Sequence, residues 1–193
     1  MTNESPTEDT GAQLAPGRAL LRQIPLVLPD TKAHLIFWSL MLGGLALDLW
    51  TKKAVFDWLA PYESYSVLDG FLQLVPALNN GAAFGWFAGR AHFLAVVSIG
   101  AVIAIFAVFL LSGTRQRLVH VALGLFAAGV CGNLYDRIFN NGSVRDFIDV
   151  YYRNFHWHTF NIADSLLCLG VAVLIISTFF TEKPDQTRDP QRK

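Results

Sequence analysis

The sequence predicts a mainly α-helical membrane protein, with four transmembrane helices carrying a small β platform and interfacial loops at one surface. Three observations carry that prediction. Apolar residues make up 53% of the chain and charged residues only 16%, a balance poor in charge for a soluble domain. Four apolar runs each approach the roughly 20 residues that cross about 30 Å of hydrocarbon as a helix. The polar and aromatic residues between them gather in two sizeable loops. The formal net charge is +0, which leaves no basic excess to neutralise phosphates and argues against a nucleic-acid partner.

Residues 1–32 are rich in Ser, Thr, Pro and acids and hold no continuous apolar stretch followed by a small-residue cleavage site, so they read as a mobile extension and not as a removable signal peptide. The membrane domain is predicted over residues 33–181, with a short tail over 182–193. Its spans are placed at Ala33–Trp50, His92–Leu111, Leu118–Leu134 and Ile162–Phe180. Gly124, Ala128, Gly129 and Gly132 recur at three- and four-residue steps in the third span and let helix backbones approach closely. Cys131 and Cys168 fall inside apolar runs with neither metal nor disulfide spacing, and are read as packing residues.

An even number of spans puts both termini on one side. Arg18, Arg22, Lys32, Arg115, Arg117, Lys183, Arg188, Arg192 and Lys193 outnumber Lys52, Lys53, Arg90, Arg137, Arg145 and Arg153, and the excess assigns the termini to the cytoplasm. The two larger loops then lie outside. The first, from Phe56 to Arg90, contains the strand-like Phe71–Val75, and the second, from Ile138 to Phe160, opens on the turn signal Asn140-Asn141-Gly142 before the strand-like Val144–Tyr151. Trp58, Tyr62, Tyr65, Trp86, Tyr151, Tyr152 and Trp157 fall in these loops, where amphipathic rings favour headgroup depth.

The residues able to carry chemistry cluster at that outer edge. Asp48 and Lys52, four apart on one helix face, make either a structural ion pair or a support for a neighbouring site. The stretch Asn79-Asn80-Gly81-Ala82-Ala83-Phe84-Gly85 is equally a turn or a close-approach binding segment. Asn133 and Arg137 share a helix face, with Asp136 about 100° away; Arg137 is a clamp for a carbonyl or acid, or a snorkelling anchor. Asp146 alternates with Val144 and Ile148 in the second strand, which turns Arg145 to the opposite side. Asn161 is placed as an N-cap, putting Asp164 in the first helical turn, where the dipole favours a carboxylate.

Either acid alone serves as a cap or ion-pair partner, but as a pair Asp146 and Asp164 suit an aspartyl protease. Two close carboxyls share a proton and titrate as a unit. One then activates water while the other polarises the scissile carbonyl. No metal is called for: no His-Glu-x-x-His run occurs, and His156 and His158 amid aromatics do not close a zinc site. Proton-coupled transport is the main rival. It needs ionisable groups spread through the bilayer, whereas the interiors of all four spans lack acids.

Asp48-x-x-x-Lys52, Asn79-x-Gly81-Ala82-Ala83-Phe84, Gly132-Asn133-Leu134-Tyr135-Asp136-Arg137, Val144-x-Asp146-Phe147 and Phe160-Asn161-x-Ala163-Asp164 stand in an order that resembles lipoprotein signal peptidase, the signal peptidase II family of bacteria. The resemblance covers roughly Ala33 to Phe180. It implies an aspartyl endopeptidase of the bacterial inner membrane that cleaves signal peptides from diacylglyceryl-modified prolipoproteins just before the lipidated cysteine. It further implies that Asp146 and Asp164 are the catalytic pair, that Asn79, Arg137 and Asn161 bind substrate or order the site, and that Asp48, Lys52, Gly81, Asn133 and Asp136 support it. The β platform would be periplasmic. No metal or organic cofactor is implied, membrane lipids and the prolipoproteins are the partners, and globomycin is the expected inhibitor. Arg145 departs from the family pattern, where this position is more often apolar.

Overall fold

The computed structural model describes residues 28–81, 87 and 89–180. The N-terminal extension up to residue 27, the tail from residue 181 and the segment 82–86 with Trp86 lie outside the described residues. Eight elements follow in order: α1 (Thr31–Trp58), β1 (Tyr65–Leu68), β2 (Leu72–Asn79), α2 (Ala91–Leu111), α3 (Arg117–Phe139), β3 (Val144–Tyr152), β4 (Phe155–His156) and α4 (Ile162–Phe179). All four helices are long and apolar enough to cross a membrane.

α1 starts where Asp30 accepts the N–H of Ala33 at 2.7 Å, an N-cap that satisfies one orphan donor. It runs past the expected end at Trp50 to Trp58. This end of the helix is amphipathic: Asp48 and Lys52 turn inward while Lys53 pairs outward with Asp57 at 2.6 Å. α3 likewise continues past Leu134 to Phe139, because Asp136 and Arg137 find partners inside the protein.

α3 is the central helix, with 56% of its apolar stretch buried against 11–17% for the other three. The small-residue stripe explains how. Gly124 lies against Phe37 and Leu40 of α1, Gly129 against Ala163 and Leu167 of α4, and Gly132 against the carboxylate of Asp48. Interfaces of small residues suit helices in lipid, where close van der Waals packing replaces the hydrophobic drive. At the far end Phe37 stacks on Phe109 at 4.1 Å and joins α1 to α2. Leu42, Val96, Ile103 and Ile175 face outward, as hydrocarbon contact requires. Cys131 packs beside the inner cluster as expected. Cys168 does not: it is exposed and lines a cavity, one helical turn from Asp164.

The platform is a four-stranded antiparallel sheet in the order β1-β2-β3-β4. Only its two central strands were legible in sequence, since β4 has two residues and every residue of β1 is exposed. Asn141 and Gly142 both take positive φ in the turn from α3 to β3, which the Asn-Gly pair tolerates. β2 pairs with β3 through Leu72↔Val150, Leu74↔Ile148, Ala77↔Asp146 and Asn79↔Val144. The register shifts between Leu74 and Ala77, at Pro76, which has no N–H to donate. Phe160 bridges back to Ile148 before α4 begins. The sheet therefore sets Asp146 beside the mouth of α4, at the same end of the bundle as Asp48 and Asp136.

Candidate active site

α4 begins at a capping box. Asn161 Oδ1 accepts the Asp164 N–H at 3.0 Å, and Asp164 Oδ2 accepts the Asn161 N–H at 3.3 Å. Asp48, reaching from α1, takes a further orphan donor, the Ala163 N–H, at 2.8 Å. Three of the helix mouth's polar contacts thus fix where Asp164 stands. Asn161 is fully buried and its amide nitrogen donates twice, to Asp146 Oδ1 at 2.6 Å and to Asn133 Oδ1 at 3.0 Å.

Asp146 receives a second amide from β2, Asn79 Nδ2 at 2.9 Å on Oδ2. Asn79 Oδ1 in turn accepts the Gly81 N–H at 2.9 Å, so of the doubled asparagines it is Asn79 that meets the acid, as its spacing to Gly81 predicts. The two carboxyls differ in setting: Asp146 is only 2% exposed, whereas Asp164 is half-buried. Burial pushes the Asp146 carboxyl up to about 6, helped by the negative charge of Asp164 and opposed by the amides of Asn79 and Asn161.

Behind the pair lies a buried charge network. Lys52 Nζ sits 2.7 Å from Asp48, 3.1 Å from Asn133 Oδ1 and 3.4 Å from Asp136, and Asp48, Lys52 and Asp136 are each completely buried. All three ammonium protons therefore have a direction. With Lys52 and Asn161 both donating to its oxygen, Asn133 turns its NH2 to Asp164 Oδ1 at 2.8 Å. Arg137 donates to the Asn133 carbonyl at 3.3 Å and to the Gly81 carbonyl at 3.2 Å, tying α3 to the segment after β2. The Asp48–Lys52 pair is thus joined to the site and is more than a local helix contact. All ten candidate residues come together in one cluster.

Asn79, Asn133, Arg137, Asp146 and Asp164 open on one cavity of about 590 Å³, closed on other sides by Val144, Phe160, Leu167 and Cys168. Trp157, His158 and Thr159 form its rim. Sequence reasoning missed this rim and the α4 wall, although Cys168 follows Asp164 by four residues and helical periodicity would have placed it there. It also missed the partner of Arg145, which is Asp136, at 2.6 Å. His156 Nδ1 lies 2.7 Å from Asp149 on the platform, away from the cavity lining. An acid with a raised pKa beside a half-buried one, both facing a partly apolar cavity, has the parts for general acid–base hydrolysis of a bond presented at the membrane boundary.

The family model described as signal peptidase (SPase) II matches residues 40–180. A lipoprotein signal peptidase of Geobacter sulfurreducens is 38% identical over 161 residues, spanning 82% of this chain and 95% of the relative. One from Yersinia pestis (strain Pestoides F) is 37% identical over 139 residues, 70% of this chain and 81% of the relative. Two solved structures of bacterial membrane enzymes, at 2.3 and 1.9 Å resolution, superpose with TM-scores of 0.68 and 0.66 at 31% identity, covering 79% and 78% of this chain and 93% and 94% of theirs.

Proposed function

The chain belongs to the signal peptidase II family, and from that membership we propose that it is an aspartyl endopeptidase working through Asp146 and Asp164. As a family member it is an integral inner-membrane protease that removes signal peptides from prolipoproteins. The finer proposal is that its substrates carry a diacylglyceryl-modified cysteine and that the cut falls just before that residue. Such a substrate keeps its lipid chains and apolar signal helix in the bilayer. Its scissile bond then lies at the boundary where the two carboxyls open on the cavity.

The observation that carries the aspartyl reading is the pair of carboxyls on one cavity, one buried with a pKa near 6 and the other half-buried at a helix N-terminus. Asp164, set in the first turn of α4, takes a proton from water as the water oxygen adds to the scissile carbonyl carbon. Asp146, protonated, donates to the developing oxyanion. The C–N bond then breaks, the leaving α-amine takes the proton held by Asp164, and the oxyanion returns its own to Asp146. Asn79, Asn133 and Asn161 hold the two acids, and Arg137 orders the segment at Gly81. No step requires a metal or organic cofactor.

In a purified preparation in lipid, the chain is expected to cleave a diacylglyceryl-modified prolipoprotein before its modified cysteine, with globomycin competing against substrate. Cleavage at another bond, or an unmodified precursor cut equally well, contradicts the substrate proposal. Failure of globomycin to bind contradicts the placement of the site.

A further inference from the structure

The charge network contains one contact that the reaction does not explain. Asp136 is fully buried, and both of its oxygens are held by one residue: Oδ1 accepts from Arg145 Nε at 3.1 Å and Nη2 at 2.6 Å, and Oδ2 accepts the Arg145 backbone N–H at 2.9 Å. A buried carboxylate left without a full countercharge draws in whichever cation is nearest. The nearest other cation among the described residues is Lys52, at 3.4 Å. Yet the same ammonium is what fixes the Asn133 amide, at 3.1 Å, with its NH2 on Asp164.

We propose that Arg145 is a positioning residue for both carboxyls: it satisfies Asp136, so that Lys52 stays on Asn133 and Asn133 on Asp164, while its own N–H fixes β3 one residue before Asp146. This rests on Asp146 and Asp164 being the reacting pair. The guanidinium suits the task because its fork meets one carboxylate oxygen with two donors and leaves the backbone N–H to meet the other. Without it, two buried carboxylates compete for a single ammonium. Asp136 then pulls Lys52 from Asn133, and the amide that holds Asp164 is free to turn.

The test compares Arg145→Leu, Arg145→Lys and the double variant Arg145→Leu/Asp136→Asn, in lipid, on a diacylglyceryl-modified prolipoprotein, with thermal unfolding measured alongside. Arg145→Leu is expected to lower kcat on the order of tenfold to a hundredfold, the scale of a displaced catalytic group, with KM little changed. Arg145→Lys should retain more activity than Arg145→Leu. The double variant should regain kcat, because a neutral amide in place of the Asp136 carboxylate no longer competes for Lys52; if it does not fold, the Lys and Leu comparison decides. A wild-type kcat for Arg145→Leu, a change in KM alone, or a folded double variant no better than Arg145→Leu overturns the proposal. Asp146→Asn in the same assay separates the two levels. If it is inactive while Arg145→Leu matches wild type, only the positioning role falls. If Asp146→Asn still cleaves, the pair itself falls and the positioning role with it.

Discussion

Asn79 does more at Asp146 than hold its place: its amide favours the ionised carboxylate, against burial and the nearby charge of Asp164, which favour the protonated one. Burial wins, and the carboxyl is pushed up to about 6. It therefore keeps a proton where a solvated aspartate, near 4, has lost it. The singly protonated pair persists to about pH 6 and is lost as pH rises through that value, so kcat/KM should fall along an alkaline limb. Asn79→Ala removes a hydrogen bond made to the anion, which raises the pKa. The limb should move up by roughly one pH unit, the worth of one charge-assisted hydrogen bond. A pH profile of kcat/KM for the two proteins checks this, and a limb that stays or moves down contradicts it. At this scale the sequence was legible wherever a regular spacing joined two residues, as in Asp48 and Lys52 or Asn161 and Asp164. It was not legible for Arg145 and Asp136, which are separated by a turn whose geometry no periodicity describes.

Among the elements, the contact between α1, α3 and α4 depends on one missing side chain. A Cβ at Gly132 would overlap the Asp48 carboxylate and crowd Ala163. Asp48 is the residue that accepts the Ala163 N–H at the mouth of α4. Gly132→Ala should thus cost about 1–3 kcal/mol, the usual penalty of overpacking, and lose activity with it as the capped helix end shifts. Gly43, with open space around it, is the matched control. Gly43→Ala should be neutral or up to about 1 kcal/mol stabilising, since alanine is the better helix residue. Thermal unfolding and cleavage assays on both variants make the comparison, and equal effects would remove the special role of Gly132. The four helices were readable because length and apolarity define a span. Their outer ends were not, because hydropathy stops at the first polar residues while α1 and α3 continue wherever those residues find partners inside the protein. β1 and β4 were hidden for a different reason: two to four residues with no alternation in burial carry no pattern.

For the molecule as a whole, chain direction puts the site at the end of α1 and α3 and the start of α4, so the start of α1 and the end of α4 lie at the opposite end of the bundle. The basic excess flanking that opposite end supports cytoplasmic termini. A fluorescent protein fused after Lys193 should then fold and fluoresce in a bacterial host, and a dark but exported fusion would reverse the orientation. The fold class and the gathering of the polar candidates at one end of the bundle could be read in advance because both rest on local order: apolar runs, and polar motifs at their ends. The cavity could not, since its lining comes from β2, α3, β3, the segment after β4 and α4 together. What the two acids do in that cavity decides the mechanism. Purified in lipid and given a diacylglyceryl-modified prolipoprotein, Asp146→Asn and Asp164→Asn should each lose at least roughly a thousandfold in kcat, with the double variant no worse than either, as expected of groups acting as a unit. Cleavage by either folded single variant within roughly tenfold of wild type, well inside the loss expected for a general acid or base, would contradict the aspartyl mechanism.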